Sequence, residues 1–244
     1  MSETGLVKLS RLMALRRELD TVANNVANVG TAGFKAQRVA FKEYLKPIER
    51  ADLSTKPERP VSLVDGRPGF TDLSPGSIAP TGNRLDVAIE GNAYFVVQTA
   101  DGERYTRDGS FTLDGSGRLV TASGQPVLGA GGPLTLSASE TDATINPDGT
   151  LLSSQGVRGR LRLARFDTPQ NLVPVGANLF RSDQKPSEPP AGTVKLVPGA
   201  LEKSNVQPVL EMSRLIEITR AYELVTSLTK KDDSNELQRL ADTA

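Results

Sequence analysis

Hydrophobic residues near the start of the chain recur at alternating steps of three and four residues. This first seam consists of Leu12, Leu15, Leu19, Val22 and Val26. Residues at that spacing lie on one face of an α-helix and are typical of a coiled-coil seam. Charged side chains occupy the opposite face, so the pattern predicts an amphipathic N-terminal helix, which we assign to residues 1–32.

The same spacing returns near the end of the chain. This second seam consists of Leu215, Ile218, Tyr222 and Val225, with Met212 on a neighbouring stripe that widens the apolar face. Asn205 is of a residue type that caps helices, and Pro208 is tolerated in a first turn. The pattern predicts a C-terminal helix within residues 199–244, with an interruption at the charged run 230–233.

The period changes to two in the middle of the chain, where Leu85, Val87 and Ile89 alternate with other residues. Such alternation predicts β-strands. Asp-Gly pairs, which favour the tight turns of β-hairpins, punctuate the same region. These pairs lie at 101–102, 108–109, 114–115 and 148–149. We therefore predict an all-β domain over residues 76–198.

Two proline-rich stretches separate this predicted domain from the helices. Residues 47–80 are rich in proline and show little periodicity, so we predict an extended connector over 33–75, and a second proline-rich stretch covers 186–198. Long connectors are uncommon inside a compact domain. The predicted fold class is therefore α+β, with terminal helices paired as a coiled-coil-like layer and an inserted all-β domain. The alternative is that both helices cover the β domain.

Composition limits the chemistry of the chain. Lys plus Arg number 29 and Asp plus Glu number 29, so no net charge favours binding to nucleic acid. The chain has no cysteine and no histidine, which removes thiolate metal sites and the usual general base at neutral pH. No apolar run approaches the ~20 residues that span a bilayer. We expect no cofactor, no metal and no direct membrane insertion.

The candidate catalytic patterns are weak. The glycine-rich run 129–132 is followed by Pro133 rather than by the lysine of a phosphate-binding loop. Glu211, Glu217 and Glu223 could form paired acids, but on a helix they are more simply its solvated or interfacial edge. The serines have no histidine partner. We predict no catalytic residue and no small-molecule substrate; a β-rich secreted hydrolase or adhesin is the alternative class.

Three ordered motifs resemble a known family. The first consists of Asn24, Asn25, Asn28, Thr31, Gly33, Phe34, Lys35 and Phe41. The second includes Asn83, Leu85, Asp86, Gly91, Tyr105, Arg107, Gly109 and Phe111. The third runs over 201–206 and continues with Glu211, Met212, Ile216 and 220–223. Together they resemble the axial proteins of the bacterial flagellar basal body, the family of rod and hook proteins.

The resemblance implies a structural role. It implies a basal-body rod subunit that crosses the periplasm and assembles with copies of itself and neighbouring rod proteins into a helical tube. Such a tube transmits torque from motor to hook and forms part of the export channel. The resemblance also implies export by the flagellar type III apparatus without a cleaved signal peptide. Within the family the chain is most similar to proximal rod proteins, with distal rod and hook subunits as alternatives.

The first motif has an expected role on this basis. Asparagine and glycine hydrogen-bond locally and tolerate left-handed backbone. We therefore expect the three asparagines and Gly33 to end the first helix and redirect the chain. Phe34 would anchor the chain there, while Lys35 and Arg38 would face neighbouring subunits.

Overall fold

The structure is a computed structural model that describes residues 3–46, 61–137, 140 and 142–241. Helix α1 is Glu3–Ala27 and helix α2 is Pro208–Ala241. No described helix is long and apolar enough to cross a membrane. The chain is α+β, as predicted, because the strands described here all lie between the two helices in sequence.

The strands follow one another closely. The first nine are β1 Gln37–Lys46, β2 Val61–Thr71, β3 Ile78–Pro80, β4 Val87–Glu90, β5 Tyr94–Thr99, β6 Gly102–Thr106, β7 Phe111–Leu113, β8 Leu119–Thr121 and β9 Leu128–Gly129. The others are β10 Gly132–Pro133, β11 Thr144–Ile145, β12 Thr150–Ser153, β13 Gly156–Arg160, β14 Leu163–Ala164, β15 Val173–Pro174, β16 Leu179–Arg181, β17 Lys195–Pro198 and β18 Ala200–Glu202.

The chain divides into two compact units. The helical unit contains Met1–Ala27, Gln37–Phe70 and Gln207–Ala244, and the β unit contains Asn28–Ala36 and Thr71–Val206. Both units are therefore built from segments that are separate in sequence. Strands β1 and β2 pair in a two-stranded sheet that belongs to the helical unit.

Pro208 lies in the first turn of helix α2, as predicted, because a proline lacks only an N–H that a first turn leaves unbonded anyway. The predicted interruption at 230–233 is wrong, since α2 continues to Ala241. Lysine is a good helix former and aspartate costs only a few tenths of a kcal/mol more, so about 1 kcal/mol of unfavourable propensity does not stop an established helix.

The helical unit is held by a small apolar cluster. Leu15, Val22 and Ile218 are buried, and six partly buried side chains pack against them. Those six are Leu19, Val26, Leu215, Ala221, Tyr222 and Val225. The two seams read from the sequence therefore meet each other along much of their length.

The β unit has a larger interior. Its main cluster contains fifteen buried apolar residues, among them Phe95 and Phe111, whose rings meet edge to face with centroids 5.0 Å apart. A second cluster of eight lies around Phe166. The largest sheet has the order β14-β5-β6-β16-β15. These clusters give the β unit a hydrophobic core of its own.

The β unit also takes in chain beyond the domain predicted for it. Strand β18 pairs with β3 in antiparallel fashion, and β17 pairs with β4. Phe34, Ala36 and Val206 form a further buried cluster. The segments on either side of residues 76–198 are thus packed into this unit, because each supplies apolar side chains or strand partners to it.

Candidate functional site

The chain passes from the β unit to the helical unit between Ala36 and Gln37. We call the four residues Lys35, Ala36, Gln37 and Arg38 the junction segment. Each of them is held by a polar side chain from elsewhere in the same unit. The first two are held within the β unit and the last two within the helical unit, so the site has two separate halves.

Lys35 is held by a buried carboxylate. Its Nζ donates to Glu202 Oε1 at 2.6 Å and to the Ser74 carbonyl oxygen at 2.7 Å. The Lys35 and Glu202 side chains are 2% and 1% exposed. The Gly76 amide donates to the same Glu202 oxygen at 2.9 Å. Glu202 therefore joins the junction segment to the chain just before β3.

Arg107 shares this carboxylate. Its Nε donates to Glu202 Oε2 at 2.8 Å. The rest of the guanidinium donates to the carbonyl oxygens of Ile89, Gly91 and Ala93. We call Lys35, Arg107 and Glu202 the Glu202 cluster. Its two cations share one anion, and the carbonyl acceptors supply the remaining hydrogen bonds that buried charges require.

Burial shifts the pKa of two groups at this site, Lys35 and Tyr94. Desolvation lowers the pKa of Lys35 from its ordinary 10.5, and the adjacent Glu202 carboxylate acts in the opposite direction. Arg107 also lies over the ring of Tyr94, 5.8 Å from its centroid. Burial raises the pKa of Tyr94 to about 12. Both oxygens of the Glu202 carboxylate accept hydrogen bonds, as expected of a structural cluster.

Ala36 is held by Asn205. The Asn205 Oδ1 accepts from the Ala36 amide at 2.7 Å, and its Nδ2 donates to the carbonyl oxygens of Asp72 and Ser74. The prediction that Asn205 caps the second helix is wrong, because α2 starts at Pro208 and the side chain is engaged elsewhere. An asparagine offers both a donor and an acceptor, which suits it to join two strands of backbone.

Gly33 permits the approach that brings the junction segment onto the β unit. Its φ is +66°, and a Cβ built there would lie 2.4 Å from the Arg107 carbonyl carbon and the Asp108 nitrogen. The neighbouring Ala32 carbonyl oxygen accepts from Asn178 Nδ2 at 2.9 Å. The left-handed backbone predicted for Gly33 is confirmed, and the close contact explains why the position needs glycine.

The helical unit holds the other half of the junction segment through Asn25 and Glu211, each 0% exposed. The Gln37 amide donates to Asn25 Oδ1 and the Asn25 Nδ2 donates back to the Gln37 carbonyl oxygen, both at 2.9 Å. Glu211 Oε1 accepts from Arg38 Nη1 at 2.6 Å, and Oε2 accepts from Asn25 at 3.2 Å. We call Asn25, Arg38 and Glu211 the Glu211 cluster.

Several predicted roles in the first motif differ from the structure. Lys35 is 4% exposed, so the prediction that it faces a neighbouring subunit is wrong. The Arg38 side chain is 25% exposed and points its guanidinium at Glu211 within its own chain. Both side chains turn inward because each finds a buried carboxylate there. None of the three asparagines has a left-handed backbone. Among the described non-glycine residues, a positive φ occurs at Asp142, Ala177 and Asn178.

The other residues of the first motif lie around the end of α1. Asn28 follows the last helical residue, and its Oδ1 accepts from the Thr31 hydroxyl at 3.1 Å. Asn24 lies on the exposed side of the helix. Phe34 is buried in the β unit. Phe41 lies on β1, and its side chain is outside the described residues.

The seam residues separate into three groups. Eight of the predicted seam residues lie in one apolar cluster. Leu15, Val22 and Ile218 are buried, and Leu19, Val26, Leu215, Tyr222 and Val225 are partly buried against them. Leu12 is half-buried outside that cluster. Met212 is 52% exposed. Met212 therefore belongs to a surface stripe that α1 does not cover.

The second motif stabilises the β unit. The Asp86 carboxylate accepts from the Thr81 hydroxyl at 2.6 Å and from Asn83 Nδ2 at 2.9 Å, which closes the loop before β4. Gly109 lies so close to Val87 that a Cβ would be 1.7 Å from its carbonyl oxygen. The remaining members pack in or beside the cores, or have a positive φ. These are Leu85, Tyr105, Phe111 and Gly91.

Sequence reasoning missed the two buried glutamates. Glu211 was predicted to lie on a solvated or interfacial helix edge, and that prediction is wrong, because it is fully buried. Glu202 belongs to the third motif, and the sequence predicted no role for it. Lys35 and Glu202 are 167 residues apart in sequence, and local periodicity gives no sign of such a pair. Among the described residues, no group of acidic side chains could hold a metal ion.

The helices expose much apolar surface. Ten of the fifteen large hydrophobic side chains that are exposed in the described chain lie on α1 or α2. On α1 they are Leu6, Val7, Leu9 and Met13. On α2 they are Val209, Leu210, Met212, Ile216, Leu224 and Leu228. Exposed apolar patches commonly mark sites of interaction with other molecules.

Three family descriptions match successive parts of the chain. Residues 6–35 match "Flagella basal body rod protein". Residues 88–153 match "Flagellar hook protein FlgE/F/G D1 domain". Residues 197–240 match "Flagellar basal body rod FlgEFG protein C-terminal". The matches contain the junction residue Lys35 and both buried glutamates.

Full-length relatives are similar to the chain from end to end. The flagellar basal-body rod protein FlgF of Caulobacter vibrioides is 42% identical over 244 residues, covering 99% of this chain and 97% of that protein. FlgF of Mesorhizobium japonicum is 36% identical, covering 96% of this chain and 95% of that protein. FlgG of Bacillus subtilis is 29% identical, covering 92% of this chain and 93% of that protein.

Proposed function

Because this chain belongs to the FlgE, FlgF and FlgG family of flagellar rod and hook proteins, we propose that it is a structural subunit of the basal-body rod. The observation that carries this proposal is the apolar surface of the two helices. Ten large hydrophobic side chains remain exposed there in the single chain. Burying such a side chain completely contributes roughly 1.5–3 kcal/mol, so assembly would be strongly favoured.

The proposed assembly uses the terminal helices as a coiled-coil-like layer. A contact between unlike faces, repeated with a rotation and a rise, builds an open helical filament rather than a closed ring. In this proposal α1 and α2 are the axial helices, and Thr71–Val206 form the inserted β domain. The resulting tube transmits torque from motor to hook and contributes to the export channel.

The proposed partners follow from the same role. They are copies of this chain, neighbouring rod proteins and the flagellar type III export apparatus. The proposed location is the rod where it crosses the periplasm, reached without a cleaved signal peptide. We propose no chemistry: the polar clusters at the junction segment are internally satisfied, which supports a structural function.

We propose that the chain takes the place of an FlgF protein in the rod. The FlgF proteins of Caulobacter vibrioides and Mesorhizobium japonicum are 42% and 36% identical to it. The FlgG protein of Bacillus subtilis is 29% identical. An FlgG-like place in the distal rod is the second candidate, since FlgG proteins also match over nearly the whole chain.

The test is to delete the gene and examine isolated basal bodies. The expected result is loss of motility and of complete rods, restored by a tagged copy of the chain that is then recovered in the basal-body fraction. Complete rods and normal swimming in the deletion strain would contradict the proposal. Immunogold labelling of the tagged copy distinguishes a proximal from a distal place.

A further inference from the structure

The Asp-Gly pairs of the β unit differ in how firmly their side chains are held. Four pairs have described side chains, at 101–102, 108–109, 114–115 and 148–149. In such a pair the glycine amide nitrogen can attack the aspartate carboxyl carbon, because glycine has no Cβ to hinder the approach. The attack requires a carboxyl group that can turn towards the nitrogen, and an amide that can leave its own hydrogen bond.

Hydrogen bonds hold both oxygens of the Asp114 carboxylate. Oδ1 accepts from the Ser116 amide at 2.9 Å, from the Ser116 hydroxyl at 2.8 Å and from the Arg118 amide at 2.9 Å. Oδ2 accepts from Arg118 Nε at 2.8 Å. These bonds, that of the Ser116 hydroxyl first, lower the pKa of Asp114. A Cβ at Gly115 would meet nothing within 4 Å, so only the carboxylate of this pair is restrained.

Asp148 is restrained at the carboxylate and at the glycine. Its Oδ1 accepts from the Thr150 amide at 3.0 Å and its Oδ2 from the Thr150 hydroxyl at 2.7 Å. The Gly149 amide donates to the Asn146 carbonyl oxygen at 2.9 Å. The carboxylate and the nitrogen that would attack it are therefore both occupied.

Asp108 is restrained by packing as well as by hydrogen bonds. Its Oδ1 accepts from the Ser110 amide at 3.0 Å and from the Ser110 hydroxyl at 2.6 Å. The next residue, Gly109, is fixed against Val87, whose amide donates to the Gly109 carbonyl oxygen at 3.1 Å. This pair cannot rearrange without disturbing the start of β4.

Asp101 lies at the tip of the β5–β6 hairpin and lacks such restraint. Its side chain is 88% exposed, and its Oδ2 is 3.8 Å from Arg104 Nη2. No described group donates a hydrogen bond to this carboxylate. A Cβ on Gly102 would meet only the end of the Arg104 side chain, at 3.9 Å. Gly102 pairs with Thr99 at the end of the ladder, where hydrogen bonds open most easily.

We propose that the Asp101–Gly102 pair is a site of spontaneous isoaspartate formation in the folded chain. The Gly102 nitrogen bonds to the protonated carboxyl group of Asp101 at its carbon. The carboxyl hydroxyl leaves with the amide proton as water, and a five-membered succinimide ring closes. Water then opens the ring. Opening at the main-chain carbonyl of Asp101 leaves the backbone running through the side chain.

The product changes the hairpin and creates a new chemical group. The Thr99 hydroxyl donates to the Gly102 carbonyl oxygen at 2.8 Å across the last pair of the ladder. One extra methylene in the backbone displaces that pair. The isoaspartate also has a free α-carboxylate, which is the group that protein-isoaspartate methyltransferases esterify. The inference concerns the folded chain itself and does not rest on the proposed function.

Mapping of the aged full-length protein tests the proposal. The folded chain is incubated at mildly acidic pH, digested and analysed by mass spectrometry with electron-transfer fragmentation. A protein-isoaspartate methyltransferase provides an independent label. We expect isoaspartate to form at least about tenfold faster at Asp101 than at Asp114, since freeing the Asp114 carboxylate breaks several hydrogen bonds. In the urea-unfolded chain the two sites should react at similar rates.

Matched variants test the cause of the difference. Asp101→Glu should abolish the signal at this position and leave the chain folded, because attack on a glutamate must close a larger ring. Ser116→Ala combined with Arg118→Lys removes two side-chain donors from Asp114 and should raise its rate towards that of Asp101. Equal rates at Asp101 and Asp114 in the folded wild-type chain would overturn the proposal. An unchanged Asp114 rate in the double variant would overturn hydrogen bonding as the cause.

Discussion

The two units contain buried glutamates in similar roles but differ in what surrounds them. Glu202 lies in a unit with fifteen buried apolar residues in one cluster and eight in another. Glu211 lies in a unit whose described cluster has three. Both carboxylates bind a basic side chain of the junction segment at 2.6 Å. The same polar arrangement therefore accompanies a large apolar core in one unit and a small apolar cluster in the other.

The largest expected effect comes from a charge placed on α2. Ile218 is 6% exposed and Ile216 is 53% exposed, so Asp at these positions tests the inner and the outer face of one helix. Burying an unpaired carboxylate is very costly. We expect Ile218→Asp to prevent pairing of α1 with α2 and to abolish rod formation. Ile216→Asp should abolish assembly through the outer face alone.

Motility, basal-body isolation and a disulfide probe between α1 and α2 measure these effects. The chain has no cysteine of its own, so an introduced pair gives a clean signal. If Ile216→Asp assembles normally, the exposed stripe is not an interface, and the contrast between the units is smaller than we describe.

The next effect tests the β unit. Glu202→Gln leaves Lys35 and Arg107 without a counter-charge in a buried site. Breaking a buried ion pair costs about 3–5 kcal/mol. We therefore expect Glu202→Gln to lower the urea midpoint of the β unit, measured by circular dichroism. Glu188→Gln is the control, because Glu188 is exposed and its substitution should leave the midpoint unchanged. An unchanged midpoint in Glu202→Gln would show that the cluster is not needed for the stability of this unit.

A smaller effect is expected at Gly33. Alanine there must accept a φ of +66°, which costs roughly 1–2 kcal/mol, and its Cβ would collide with the Arg107 backbone. Gly30→Ala is the matched control, because nothing lies within 4 Å of a Cβ at that position. We expect only Gly33→Ala to lower the denaturation midpoint of the free subunit. Equal effects would mean that the segment is not seated on the β unit in solution.

The smallest effect is a pH dependence. The pKa of Tyr94 rises from 10.0 to about 12 upon folding. A group whose pKa is higher in the folded state contributes stability fully below pH 10, and that contribution is lost as the pH rises through about 12. Phenolate absorbance should show a late titration step that Tyr94→Phe removes. Titration of Tyr94 near the ordinary tyrosine pKa of 10.0 would mean that water reaches the site around Tyr94 and Arg107.

Local patterns in the sequence predicted local features of the molecule. The three-four spacing identified Leu15, Val22 and Ile218, and the proline rule placed Pro208 in the first turn of α2. The Asp101–Gly102 pair joins β5 to β6, as expected of a hairpin turn. Each of these follows from interactions between residues close in sequence, which periodicity and turn chemistry describe directly.

The candidate site could be predicted only in part. The motif around Lys35 is recognisable in the sequence, but the burial of the Lys35 side chain is not, because a lysine is far more often exposed than buried. Its partner Glu202 lies 167 residues away. Asn25 and Glu211 are 186 residues apart. Pairing over such distances depends on how the units fold as a whole, and hydrophobic periodicity contains no record of buried charges.

The distance between Asn25 and Glu211 along the chain also sets an order of events in time. When a chain emerges from a ribosome or a narrow channel with its N-terminus first, α1 is released long before the last segment of sequence. The β unit is complete once residue 206 has emerged, whereas the helical unit still lacks all of α2. Helix α1 must therefore wait without its partner while the longer part of the chain folds behind it.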